Sequence, residues 1–350
     1  MKCIENFKDL IPLRSKWAKK NIPVIRNLVF KGGGVRGIAY MGALKVLDEQ
    51  GLLKNVERTA GTSSGAIAAL LFSMRLPVTK IIELFNTLDL SKIPQNGNNG
   101  KTPGSKILPV KGADNYRRMF EKFGWYSSNY FYQWERKIIA DHCFGNAAAT
   151  FREFQEYGFR DLYVVVSNLS RHRTEIFSVE TTPEVSVADA VRMSMSIPLF
   201  FESLQFDGYR LGEGDYYVDG GLYNNYPIDI FDNPKYARRS RMFSDGINGE
   251  TLGLFLYPAK IQNKQLHDIP ETVWDYIDLT VRSIYDSHQT AILDHNLVDR
   301  NRTISINDCG ISALQFDIKE GSQEYQQLFQ SGMDAVADYI NRKQQNRRIL

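Results

Sequence analysis

Cysteine is scarce in this chain. There are 3 in 350 residues, Cys3, Cys143 and Cys309. They are far apart and odd in number, so they form neither a C-x-x-C metal pair nor a disulfide framework. A reducing compartment suits them. Long apolar runs are missing too. No stretch of about eighteen apolar residues occurs, which argues against a transmembrane helix. The opening MKCIENFKDLIPLRSKWAKK has no apolar core of the kind a secretory signal needs, and Cys3 has none before it, as a lipoprotein signal would require. A cytoplasmic location is expected, with export by a route that reads no N-terminal signal left open. An excess of one charge is also lacking. Lys plus Arg number 43 against 40 for Asp plus Glu, a net charge of +3. That balance gives no reason to expect a nucleic-acid partner. No cluster of ligand-type residues at metal spacing occurs, so neither metal nor cofactor is expected.

What the chain has is glycine at particular places. Gly61-Thr62-Ser63-Ser64-Gly65 fits G-x-S-x-G. The alternating stretch Val56–Ala60 precedes it and the apolar run Ala66–Phe72 follows. Strand, tight turn and helix are the context of a nucleophile elbow, with Ser63 at the tip. Flanking glycines are needed because a Cβ would clash in so tight a turn. The Ser64 N–H and the helix dipole favour negative charge there. The competing reading is an ordinary glycine turn capped by Ser63 or Ser64.

One unit upstream, strand Asn27–Phe30 runs into Lys31-Gly32-Gly33-Gly34-Val35-Arg36-Gly37, then a helix from Ile38. A P-loop would place Lys and Ser or Thr after the last glycine, where Ile38 and Ala39 stand. A dinucleotide fingerprint is matched literally, with Glu57 as the acidic residue it would need. The other use of such a loop is to offer backbone N–H groups to an oxyanion. Two strand–loop–helix units in succession imply a parallel sheet with covering helices.

A serine nucleophile needs a base. The histidines are His142, His172, His267, His288 and His295, and none has the late-loop context of a hydrolase triad. Asp219 is better placed, at the end of strand Tyr216–Val218 and before Gly220-Gly221, although Asp-Gly-Gly also reads as a plain β-turn. Elsewhere the pattern predicts a strand over Leu162–Asn168 buried on both faces, a strand over Thr174–Val179 beside it, and helices over Thr79–Leu88, Asn115–Phe123, Tyr130–His142 and Ser186–Met195. Beyond these come a strand over Leu252–Tyr257, one or two helices over Glu271–Leu297, and a closing helix over Tyr325–Arg342. Ser91–Gly112 reads as a long loop, a candidate flap carrying Lys92, Lys101, Lys106 and Lys111.

Taken together and in this order, Gly-Gly-Gly-x-Arg-Gly at 32–37, Gly-Thr-Ser-Ser-Gly at 61–65 and Asp-Gly-Gly at 219–221 resemble the patatin-like phospholipases. Ser194–Pro198 and Asn224–Pro227 resemble segments flanking that family's aspartate motif. The resemblance implies a three-layer αβα sandwich with a mainly parallel central sheet. It implies Ser63 as nucleophile and Asp219 as its base in a dyad without histidine. Gly32, Gly33, Gly34, Arg36 and Ser64 would serve the oxyanion, and Gly37, Gly61, Gly65, Gly220 and Gly221 would shape the motifs. The expected activity is metal-independent hydrolysis of phospholipid or other glycerolipid acyl esters at a membrane surface. A catalytically idle lipid- or partner-binding protein of the same fold is the first alternative, and a nucleotide-binding enzyme the second. The division expected is a basic segment over 1–23, a catalytic core over 24–231, and a part over 232–350 that completes the domain or forms a small extension.

Overall fold

The computed structural model describes residues 24–95, 113–238, 242–258 and 296–345, with scattered positions between 276 and 283. The basic N-terminal segment, most of the candidate flap, most of the helical pattern over Glu271–Leu297, and His267, His288 and His295 lie outside the described residues.

The described residues open with two strand–helix units: β1 (Asn27–Phe30) into α1 (Ile38–Glu49), and β2 (Arg58–Thr62) into α2 (Ser64–Ser73). Then come α3 (Val78–Asn86), α4 (Ala113–Lys122), β3 (Gly124–Tyr126), α5 (Asn129–His142) and α6 (Phe151–Glu156). A third run holds β4 (Asp161–Asn168), β5 (Arg173–Phe177), α7 (Val187–Ser194), β6 (Leu199–Phe201), β7 (Leu204–Phe206), β8 (Asp215–Asp219) and α8 (Gly221–Asn224). The C-terminal part adds a hairpin of β9 (Phe243–Ser244) and β10 (Ile247–Asn248), then β11 (Thr251–Tyr257), α9 (Leu297–Asn301), β12 (Thr303–Asn307) and α10 (Gln323–Gln345).

The main sheet runs in the order β12-β11-β1-β2-β4-β8-β7, with β5 also paired to β4. β12, β11, β1, β2 and β4 run parallel to one another. β5 and β8 are antiparallel to β4, and β7 is antiparallel to β8. Side chains alternate across the pleat. Leu28 and Phe30 therefore join the large core under the helices, while Val29 joins a second cluster with Ala60, Tyr163 and Phe255. That opposite face is covered by Tyr226, Ile228, Phe231 and Tyr236. α2 is buried at every position. An all-round apolar helix such as this belongs inside a protein.

β4 decides the geometry. Its second half carries β5 on one edge, with Val164 opposite Phe177 and Val166 opposite Glu175. The other edge is shared. Gly61 and Thr62 of β2 pair with Val164 and Val165, and Asp219 of β8 pairs with the next residue, Val166. β2 and β8 run towards each other along this edge and meet end to end. The strands β3, β6 and β7, three residues each, were not expected from the sequence. Segments that short contain too few alternations to register as a pattern.

Glu135 on α5 is fully buried, and neither carboxylate oxygen has a hydrogen-bond partner. Burial pushes its pKa well above the ordinary value, opposed by Arg192 and Arg136 and reinforced by Asp189. The unfolded chain loses this proton above about pH 4.3, whereas the folded chain keeps it to a higher pH. The resulting destabilisation is absent below the unfolded pKa and grows as pH rises above it. Glu135→Gln should therefore raise Tm by about 2–4 °C for each kcal/mol recovered at pH 7, and leave it unchanged near pH 4. Melting curves at the two pH values check this.

Candidate active site

Ser63 joins β2 to α2 with φ 55° and ψ −126°, a left-handed conformation unusual for a residue with a side chain. Such a backbone costs about 1–3 kcal/mol and persists only where its surroundings hold it. Two contacts explain the flanking glycines. A Cβ on Gly61 would lie 2.2 Å from the Gly65 carbonyl oxygen, and one on Gly65 would lie 2.4 Å from that of Phe30. The Ser63 N–H donates to Ser194 Oγ at 2.9 Å, and that hydroxyl donates to the Val165 carbonyl at 2.6 Å. A side chain at the end of α7 thus holds the strained turn against β4.

The same end of α7 holds the aspartate motif. The Asp219 N–H donates to the Ser196 carbonyl at 2.8 Å, and the Gly220 N–H to that of Ser194 at 3.3 Å. Ser196 Oγ donates in turn to the Arg192 carbonyl at 2.8 Å. Asp219 is completely buried, and one of its carboxylate oxygens accepts the Gly221 N–H at 2.7 Å. A Cβ on Gly220 would sit 3.0 Å from Thr62 Cγ2, which shows how closely the two motifs abut. Thr62 Oγ1 donates across the gap to the Asn224 carbonyl at 2.9 Å.

The glycine loop lies against this pair. A Cβ on Gly32 would be 3.2 Å from that of Ser63. Several of its polar groups are already engaged. The Gly32 N–H donates to the Asn225 carbonyl at 3.0 Å, and the Gly33 N–H to Ser64 Oγ at 3.0 Å. Arg36 Nε donates to the Gly33 carbonyl at 3.0 Å, while Arg36 Nη1 pairs with Asp308 Oδ2 at 2.8 Å. Arg36 is therefore directed into the loop's support and not towards Ser63. Gly34 takes φ +58°, and a Cβ there would meet the Ala313 carbonyl oxygen at 2.1 Å. Gly37 leads into α1, with Ser64 Cβ 3.2 Å from where its own Cβ would be. Among the described residues no acceptor takes the N–H of Gly34 or of Ser64, the first residue of α2.

Other candidates fall away from this centre. Glu57 precedes β2, at the opposite end of the strands from the glycine loop, and is ion-paired to Arg26 at 2.7 Å. It is not where a ligand on that loop would offer a ribose. His142 ends α5 with Nδ1 2.8 Å from the Ile138 carbonyl, and His172 occupies the β4–β5 turn. Among the described residues no group of His, Cys, Asp and Glu is placed to hold a metal ion. Nor is any described helix long and apolar enough to cross a membrane. Ser194, Asn225 and Asp308 were not singled out by sequence as parts of the site. Ser194 and Asn225 lay within stretches noted for their resemblance, and Asp308 had no signal.

A family model for patatin-like phospholipase matches residues 28–232. The chain belongs to the patatin-like phospholipase family. Membership puts it among lipid-hydrolysing proteins. An uncharacterized protein of Acanthamoeba polyphaga mimivirus is 28% identical over 317 residues, 90% of this chain and 94% of that protein. A probable lipid hydrolase of invertebrate iridescent virus 6 is 27% identical over 61% of this chain and 67% of its own length. Among solved structures, VipD from Legionella pneumophila superposes with a TM-score of 0.57 at 18% identity, covering 92% of this chain and 67% of that one. The patatin-like fold is shared at that distance, a mainly parallel sheet between covering layers.

In this patatin-like chain the α7 end is a support for Ser63, and Ser194→Ala tests it. Losing the acceptor strands the buried Ser63 N–H, at about 1–3 kcal/mol of stability. The loosened elbow should also react roughly tenfold more slowly with a fluorophosphonate, given the steep dependence of rate on placement. Melting and labelling rates read the two effects separately.

Proposed function

We propose that the chain is a serine acyl hydrolase of phospholipase A or lysophospholipase type, cleaving fatty-acyl esters of glycerolipids through a Ser63–Asp219 dyad. The observation that carries this reading is the meeting of β2 and β8 on one edge of β4, opposite Val165 and Val166. Ser63 Oγ attacks the ester carbonyl carbon as Asp219 accepts its proton. The carbonyl oxygen becomes an oxyanion, stabilised by the N–H groups of Gly34 and Ser64 at the start of α2. Collapse expels the alcohol, which takes the proton from Asp219 and leaves the acyl-serine. Water then attacks the acyl-enzyme with Asp219 again as base, and the fatty acid departs. Gly32, Gly33 and Arg36 shape the loop, and no metal takes part in these steps. The substrate lies in a membrane, so the enzyme works as a peripheral visitor to its surface, on the cytoplasmic side.

Ser63→Ala should abolish release of fatty acid from mixed phospholipid vesicles, with the fold intact and Tm little changed, because the substitution removes one oxygen and leaves the Ser63 N–H bonded to Ser194. Asp219→Asn keeps the side-chain shape and removes the base, so turnover should fall by at least about a thousandfold while the protein still folds. Activity of either variant within tenfold of wild type would exclude that residue from the mechanism.

A further inference from the structure

We infer that Asp308, which lies beyond the region matched by the family model, is a positioning residue for turnover: through Arg36 it sets the direction of the Gly34 N–H. This rests on the reading of Gly34 as an oxyanion donor. The Gly33 carbonyl and the Gly34 N–H belong to one peptide plane. In a trans peptide they point in opposite directions. Whatever grips the carbonyl therefore aims the N–H. Arg36 grips it twice, through Nε at 3.0 Å and through its own backbone N–H at 3.3 Å, and the Nε bond is the one that the side chain controls.

The guanidinium is itself held by Asp308. Nη1 and Oδ2 are 2.8 Å apart, and the two side chains are only 7% and 6% exposed. Asp308 is fixed on its own account. Its N–H donates to the Tyr257 carbonyl at the end of β11 at 3.0 Å, and its Oδ1 accepts the Gly310 N–H at 2.9 Å. The segment after it closes on the same loop. The Val35 N–H donates to the Ala313 carbonyl at 3.0 Å, and that carbonyl oxygen is the atom a Cβ on Gly34 would strike at 2.1 Å. Residues 308–313 form a cast around the glycine loop. A carboxylate in this cast keeps the planar fork of Arg36 from rotating off the Gly33 oxygen.

A pair that only held the fold together would change stability and leave the rate constants of the folded enzyme alone. A pair that aims a donor used in the transition state changes kcat and spares KM. The test uses the full chain and p-nitrophenyl butyrate, a soluble ester that bypasses the membrane. Asp308→Asn should lower kcat by about tenfold to a hundredfold, less than outright loss of an oxyanion donor, with KM within about threefold. Asp308→Glu should recover part of the loss. Arg36→Lys keeps the charge and lacks the Nε fork, so it should show the same split. The double variant should be no worse than the worse single one, because the two act as a unit.

The inference is overturned by an Asp308→Asn kcat within twofold of wild type, by a loss confined to KM, or by additive losses in the double variant. If Asp308→Asn does not fold, Arg36→Lys decides, and full kcat in it overturns the inference equally. Ser63→Ala is assayed alongside. Activity persisting there would bring down the Ser63–Asp219 reading on which this inference rests, whereas a dead Ser63→Ala with a fully active Asp308→Asn would sink only the role of Asp308.

Discussion

The site depends on one strand being longer than its partner. β4 extends past the end of β2, and β8 enters from the other direction to pair with what remains of that edge. Two chain ends that would otherwise leave unpaired backbone groups instead face each other across consecutive residues of β4. A buried sheet edge must be satisfied in some way. Satisfying it with a strand of opposite direction brings Thr62-Ser63 and Asp219-Gly220 together, although they lie far apart in sequence. The length of β4 comes from Leu162-Tyr163-Val164-Val165-Val166-Ser167-Asn168, all buried, with β-branched residues at its centre. β5 occupies the opposite edge of that half, so β8 has no other place to pair.

Strain at Ser63 is then held by a small set of bonds that converge on the end of α7. Ser194 accepts from Ser63 and donates to Val165, and its carbonyl accepts from Gly220. Ser196 accepts from Asp219 through its carbonyl and reaches back to the Arg192 carbonyl through its hydroxyl. The small polar residues before Ile197-Pro198 are thus explained by distance: a larger side chain at 194 would push the elbow off β4. Proline at 198 ends the helical run shortly after these carbonyls have been used. The helix serves the site with its last turn, and its remaining length packs against α5 and the sheet.

How far this could be read from sequence divides along the range of the contacts. The glycine motifs were legible because close backbone approach leaves no other residue possible, and at Gly61, Gly65 and Gly34 a Cβ would meet a backbone carbonyl oxygen. The long elements were legible from periodicity: α1, α2, α5, β4 and the closing helix α10 match the expected stretches to within a few residues. The meeting of β2 and β8 was not, since nothing local in either strand records which edge it joins. Nor was the role of Ser194, 131 residues from Ser63, or that of Asp308, 272 residues from Arg36. A single aspartate in a polar loop carries no pattern until its partner is placed beside it. Nothing in the pattern of α5 marks Glu135, and only its burial shows it to be a carboxyl with no hydrogen-bond partner.

The glycine loop repays counting group by group. The Lys31 N–H goes to the Leu254 carbonyl, and the Lys31 carbonyl accepts the Tyr40 hydroxyl. Gly32 exchanges bonds with Asn225 in both directions. The Gly33 N–H is taken by Ser64 Oγ and its carbonyl by Arg36, and the Val35 N–H is taken by Ala313. Among these loop groups in the described residues the Gly34 N–H has no acceptor, at a residue that is only half-buried, next to an elbow whose Ser64 N–H is open as well. The partners come from five directions: β11, α1, the segment after Asp219, the elbow helix and the loop after β12. Their agreement keeps two neighbouring donors open together, a state that a flexible loop would collapse by bonding to itself. On this account the C-terminal strands do more than extend the sheet, since β11 receives the Lys31 and Asp308 amides and β12 leads directly to Asp308.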